Sequence, residues 1–213
     1  MKKLLIVIVF IQVAFTGSGQ KRVSFGVRGG YGFSSITYFG HFPKRFSYKP
    51  SAQIGGYVEI KVIKPIFLQV ELLYATPGER LFKINSKGYK TGDSVLAMNC
   101  IQLPIQAKIK LGGGKTKAYY MIGVAPSFLI GANVKYKIDT TSYNYNYTYF
   151  ENRFTTNLMN TIGAEIDINR PFTPFVDFRY TQGLTNTTKR LPGYPTNKNA
   201  LNLQLMVSVG VKF

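Results

Sequence analysis

The sequence is poor in the residues on which most site chemistry depends. A single cysteine, Cys100, excludes a disulfide framework and any zinc site built on paired cysteines. A single histidine, His41, excludes a histidine-rich metal centre, and there is no tryptophan. Acids are scarce, with Asp+Glu 9 against Lys+Arg 27, so the formal net charge is +18 over 213 residues. Charged residues make up only 17% and aromatics 15%, a balance that argues against disorder. Past residue 20 no run reads as a membrane-spanning helix. The longest uncharged stretch there, 118–134, carries Pro126 at its centre among Gly123, Ser127 and Gly131, which make a poor helix.

What is present begins with a secretory pattern. Lys2 and Lys3 precede the apolar run Leu4–Ile11, and Gly17, Ser18 and Gly19 offer small residues for cleavage before Gln20. The expected organisation is a signal peptide over 1–19 and one domain over 20–213. No cysteine lies beside the cleavage site, which excludes a lipoprotein.

Alternation of apolar and polar residues dominates the rest. In 51–62, Ala52, Ile54, Val58, Ile60 and Val62 alternate with Ser51, Gln53, Tyr57, Glu59 and Lys61. The pattern returns in 23–35, 66–74, 100–111, 118–132, 157–168, 173–184 and 201–213. Eight strands follow. Their connections alternate between short turns (63–65, 112–116, 169–171) and long polar loops (39–50, 77–97, 133–153, 185–200), the arrangement of an up-and-down outer-membrane barrel. The fold expected is all-β, an eight-stranded antiparallel transmembrane β-barrel with both termini in the periplasm. Pro104 and Pro126 fall inside strands and predict a bulge or weakened pairing at each.

A soluble sandwich also alternates, but it turns its apolar face inward. Here the segments are longer than the usual soluble strand of about 5–6 residues, and no apolar face carries a charge. The charges gather on the polar face: Arg28, Glu59, Lys61, Glu71, Lys108, Lys110, Glu165, Asp167, Asp177 and Arg179, with Lys212. Inside an eight-stranded barrel, just wide enough to be filled by side chains, these form a paired charge network rather than a wide pore. Aromatics near strand ends, among them Phe25, Phe33, Tyr74, Tyr120 and Phe213, suit the headgroup level.

The runs Gly26-Val27-Arg28-Gly29-Gly30, Leu68–Tyr74, Ile101-Gln102-Leu103-Pro104-Ile105, Phe178–Leu184 and Val209–Phe213 resemble strands of the PorT-like family of outer-membrane β-barrel proteins. The resemblance covers most of the mature chain and rests on strand patterns. It implies an outer-membrane barrel and a role accessory to type IX protein secretion, in which the named member is implicated. The terminal Phe213 resembles the sorting signal read by the outer-membrane assembly machinery.

The sequence shows no catalytic constellation, cofactor motif or metal cluster. His41 lies in a loop, and Gly112-Gly113-Gly114-Lys115-Thr116 lacks the spacing and following helix of a phosphate-binding loop. The function expected is non-catalytic: an anchor, binding or assembly component of the cell envelope. The alternatives are a narrow channel for small solutes or ions, and a lipid-active enzyme. Basic residues in the long loops (Lys44, Arg45, Lys49, Arg80, Lys83, Lys87, Lys90, Lys135, Lys137, Lys189, Arg190, Lys198) face lipopolysaccharide phosphates rather than nucleic acid. Tyr143, Tyr145, Tyr147 and Tyr149 share one face of an extended chain and mark a surface for a cell-envelope or secretion-complex protein.

Overall fold

The computed structural model describes residues 23–38, 48–84, 90–138, 141–168, 172–188 and 200–213. The predicted signal peptide, His41 and the 169–171 turn lie outside them, as do the side chains of Lys83, Lys87 and Lys90.

Among the described residues eleven strands run in chain order: β1 Val23–Tyr38, β2 Lys49–Ile63, β3 Ile66–Ala75, β4 Gly78–Ile84, β5 Lys90–Gln102, β6 Ile105–Leu111, β7 Thr116–Ile138, β8 Thr141–Asn146, β9 Phe154–Ile166, β10 Thr173–Gly183 and β11 Ala200–Lys212. They make eight staves, because β3 continues as β4, β5 as β6, and β8 leads through the short 3-10 helix Thr148–Phe150 into β9. Every pairing is antiparallel. The pairings run from β2 through β1, β11, β10, β9, β7 and β6 to β3, and β3 pairs β2 in turn, so the sheet closes on itself. A closed sheet has no edge left to satisfy, and that allows it to sit in hydrocarbon.

The faces are inverted relative to a soluble sheet. Neighbouring residues of β10 show it: Phe178 is 45% exposed and points out, while Arg179 is 0% exposed and points in. Phe25, Val27, Tyr31, Ile54, Leu72, Ile122, Ile162, Val207 and Val209 cover the outer wall. So large a continuous apolar surface marks contact with a membrane. Asn160 interrupts it, and its carboxamide oxygen accepts from the Tyr120 hydroxyl at 2.7 Å.

Two expectations need correction. The segments 77–97 and 133–153 are not simple loops. β4 pairs β5, the upper part of β5 pairs β7, and β8 pairs the end of β7, so a four-stranded sheet rises beyond the barrel. On β8 the pattern is weak because both faces meet water: all six of its residues are exposed. In addition, β7 carries one extra residue, Ile130, opposite the step between Asn99 and Cys100. The bulge flips the inward parity, so Leu129 and Ala132 both point inward.

The two prolines share one defect. Leu103 and Pro104 separate β5 from β6, opposite Ala125 and Pro126 of β7. On its other side β7 pairs β9 without interruption, Pro126 opposite Thr156. The missing proline N–H therefore falls on the broken side. The Pro126 carbonyl accepts from Leu103 N at 2.8 Å, and that of Pro104 accepts from Glu71 N at 2.9 Å.

Candidate functional site

The lumen is layered. At the short-turn end, Glu59 on β2, Lys108 and Lys110 on β6, Glu165 on β9 and Lys212 on β11 converge. Lys108 Nζ lies 2.8 Å from Glu59 and 3.4 Å from Glu165, and Lys110 Nζ lies 2.6 and 2.9 Å from the same carboxylates. Lys212 Nζ is 3.1 Å from Glu165. Lys108 also sits 4.0 Å over the Tyr119 ring and Lys110 4.3 Å over Phe67, so aromatic faces assist both cations. Lys61 and Asp167 stand two residues beyond Glu59 and Glu165, half-buried at the rim.

Deeper lies a second network. Arg28 donates from one terminal nitrogen to Glu71 at 2.8 Å and from the other to both Asp177 oxygens at 2.7 and 2.8 Å. Arg179 donates to both Glu71 oxygens at 2.9 Å, Tyr119 Oη to Asp177 at 2.9 Å and Gln69 to Glu71 at 2.6 Å. All four charged side chains are sealed from solvent. Bidentate guanidinium–carboxylate geometry makes such a cluster tolerable. Tyr57, Tyr119, Met121 and Phe175 pack beside it, with Tyr57 edge-on to Phe175.

Toward the loop end the lumen loses its charge. Gln53, Gln102, Ser127, Asn157, Thr181, Asn202 and Gln204 are buried there. A cavity of about 20 Å³ touches Gln102, Ser127, Asn157 and Asn202, space for one water. The Gln102 Oε1 and Asn202 Oδ1 acceptors lack protein donors. An apolar plug of Ile36, Met98, Cys100, Leu129, Ala132 and Ala200 follows, and Tyr147 packs against it.

At the plug's outer side two carboxylates are buried, Glu79 on β4 (5% exposed) and Glu151 after the 3-10 helix (1%). Burial, and then the charge of Glu79, push the Glu151 carboxyl up to about 7, which the Thr188 hydroxyl at 3.5 Å only partly offsets. Folded Glu151 thus holds its proton to a higher pH than the unfolded chain does. Its contribution is fully present below about pH 4.5 and is lost as pH rises through about 7, up to about 3 kcal/mol in all. The unfolding midpoint in urea should rise on going from pH 8 to pH 5, and Glu151→Gln should flatten that slope.

The structure thus brings together Arg28, Glu71, Asp177 and Arg179 in one group, and Glu59, Lys108, Lys110 and Glu165 in another. It separates the four tyrosines. Tyr143 and Tyr145 stack on β8, with centroids 6.4 Å and planes 16° apart, and are exposed, as is Tyr149. Tyr147 lies past the end of β8 and turns inward to the plug. The inward aromatics Tyr119 and Phe175, the plug and the Glu79/Glu151 pair are additions to the site read from sequence. For Tyr119 the sequence carries a signal, since it shares inward parity with Met121 and Ser127.

A closed antiparallel barrel with an apolar exterior and an ion-paired, filled interior defines an integral membrane β-barrel. Residues 12–189 match the family model described as outer membrane protein beta-barrel domain, and the chain belongs to that family, which makes it an outer-membrane protein. Among solved structures it is similar to a major outer membrane protein from Thermus thermophilus, with 12% identity, TM-score 0.51, and 90% of this chain and 99% of that one covered. Further similar structures are Neisserial surface protein A (13% identity, TM-score 0.48, 90% and 99% covered) and OprG from Pseudomonas aeruginosa (16%, 0.45, 92% and 98%). No curated protein matches the chain in sequence.

Proposed function

We propose that the protein is a non-catalytic anchor or assembly component of the cell envelope, with its partner contact on the sheet that rises beyond the barrel. The observation that carries this reading is β8. It is exposed along its whole length, pairs only β7 among the described strands, and presents the stacked Tyr143 and Tyr145. Tyr136 and Val134 stand directly opposite these tyrosines on β7, so one side of the hairpin is apolar and aromatic. Rigid aromatics are favoured at interface hot spots, and an open strand edge can add a partner strand. The PorT-like resemblance points to a partner in type IX secretion.

In this reading residues 1–19 are a cleaved signal peptide, and Phe213, exposed at the short-turn end, is read by the assembly machinery. The short-turn end faces the periplasm. Lys135 and Lys137, exposed near the end of β7, meet lipopolysaccharide phosphates. The packed ion pairs and plug support a structural lumen rather than a conduit or catalytic centre.

The test is recovery of co-purifying protein from mildly solubilised membranes. Tyr143→Ser with Tyr145→Ser should leave the heat-modifiable barrel intact and cut partner recovery by about tenfold or more, the scale of one hot-spot residue. Tyr147→Ser, which acts on the plug, is the control for stability. Partner recovery at wild-type level from the double variant would remove β8 as the contact.

A further inference from the structure

One polar side chain stands at the centre of the outer wall with half of its hydrogen-bonding capacity unused. The outward rows of β1, β2, β3, β6 and β11 hold no carboxamide. Asn160 lies midway along β9, between Phe154 and Ile166. Its row faces out: Ile162, the next residue in it, is 62% exposed, while the intervening Thr161 is 1% exposed. The Tyr120 hydroxyl donates to the Asn160 carboxamide oxygen at 2.7 Å, which turns the amide nitrogen away from Tyr120. That Nδ2 group has no acceptor among the described residues. Tyr180 stands opposite Asn160 on β10, but its hydroxyl is directed to Gln182 at 3.3 Å, nearer the loop end. Hydrocarbon offers an N–H no acceptor, and headgroup oxygens lie at the two ends of the wall. An amide at this depth therefore points to a protein partner.

We propose that Asn160 pairs with Asn160 of a second copy of this chain, which makes the wall around β9 a dimer interface in the membrane. Both copies insert in the same sense, so a two-fold axis relating them runs along the membrane normal. A residue beside that axis meets its own counterpart at the same depth. A carboxamide suits the position because it is self-complementary. Each Nδ2 donates to the other copy's oxygen, whose second lone pair Tyr120 leaves free. A different protein would have to bring its own polar group to that depth, whereas a second copy supplies one by symmetry. Ile122, opposite Asn160 on β7, and Ile162 flank the pair with outward apolar surface.

Disulfide trapping in native outer membranes tests the contact. Ile162→Cys, one outward step from Asn160, should give a covalent dimer of two identical chains on mild oxidation. Ile54→Cys, on β2 across the barrel, should not. The native Cys100 is buried and stays out of reach. Adding Asn160→Leu to Ile162→Cys should lower the initial rate of trapping about tenfold, the scale of two hydrogen bonds between membrane-embedded segments. Asn160→Gln, which keeps the carboxamide, should retain most of it. Heat-modifiable migration establishes that each variant has folded. Absence of a dimer from Ile162→Cys overturns the proposal, as does equal trapping by Ile54→Cys. So does trapping undiminished by Asn160→Leu, or capture of a different protein in place of the second copy. The Tyr143/Tyr145 double variant should dimerise as wild type does, so this contact and the one proposed for β8 fail independently.

Discussion

Replacing Glu71 with alanine should cost about 3–5 kcal/mol of barrel stability, the scale for stripping one partner from a buried ion pair. Glu71 is shared. Arg28 reaches one of its oxygens and Arg179 reaches both, and none of these side chains touches solvent. Removing it leaves two guanidinium groups with only Asp177 between them, in a lumen too narrow to hydrate them. The comparison variant replaces the whole group at once: Arg28→Met, Glu71→Leu, Asp177→Leu and Arg179→Met. Apolar replacement of an entire buried network is often neutral, so the quadruple variant should be far more stable than the single one. Unfolding midpoints in urea, read by heat-modifiable migration from lipid vesicles, measure both. A single variant of wild-type stability would mean that the network does not exist as described.

The second large effect lies one residue away from that network on the same strand. Phe178 stands near the middle of β10 with its ring on the outer wall, between Ile162 of β9 and Val207 of β11. Phe178→Arg places a charge where the wall meets hydrocarbon and should cost about 2–4 kcal/mol. Phe178→Leu, which keeps the face apolar, should cost much less. A soluble β-sandwich exposing this face to water would respond in the opposite sense, tolerating arginine easily. The same vesicle unfolding assay distinguishes the two, and a tolerated arginine would argue that the face is wet.

The membrane-crossing part of the fold is legible because the lipid and the narrow lumen constrain every second residue. Val207 and Ser208, or Phe178 and Arg179, cannot exchange places, and period-two alternation is the record of that constraint. Where water lies on both sides the record fades. β8 therefore reads as a loop, and Tyr147 reads as one of a row of tyrosines that in fact face away from it. A single-residue bulge at Ile130 is equally silent, because an apolar residue satisfies either parity there. The membership of the lumen networks is legible from parity, but the partners are not. Arg28 meets Asp177 across 149 positions and Glu71 across 43, and only closure of the barrel brings them together. The Glu79/Glu151 pair requires the extra sheet above the barrel, which the sequence pattern does not announce.

The central claim is that β1 crosses a bilayer with odd residues in lipid and even residues in a closed lumen. Spin labels placed singly along β1 of the reconstituted protein test it directly, by power saturation with oxygen and with a water-soluble nickel complex. Labels replacing Phe25, Val27, Gly29, Tyr31 and Phe33 should be accessible to oxygen and shielded from nickel. Labels replacing Gly30 and Ser34 should be shielded from both. Strong nickel accessibility at the odd positions would place that face in water and contradict the account.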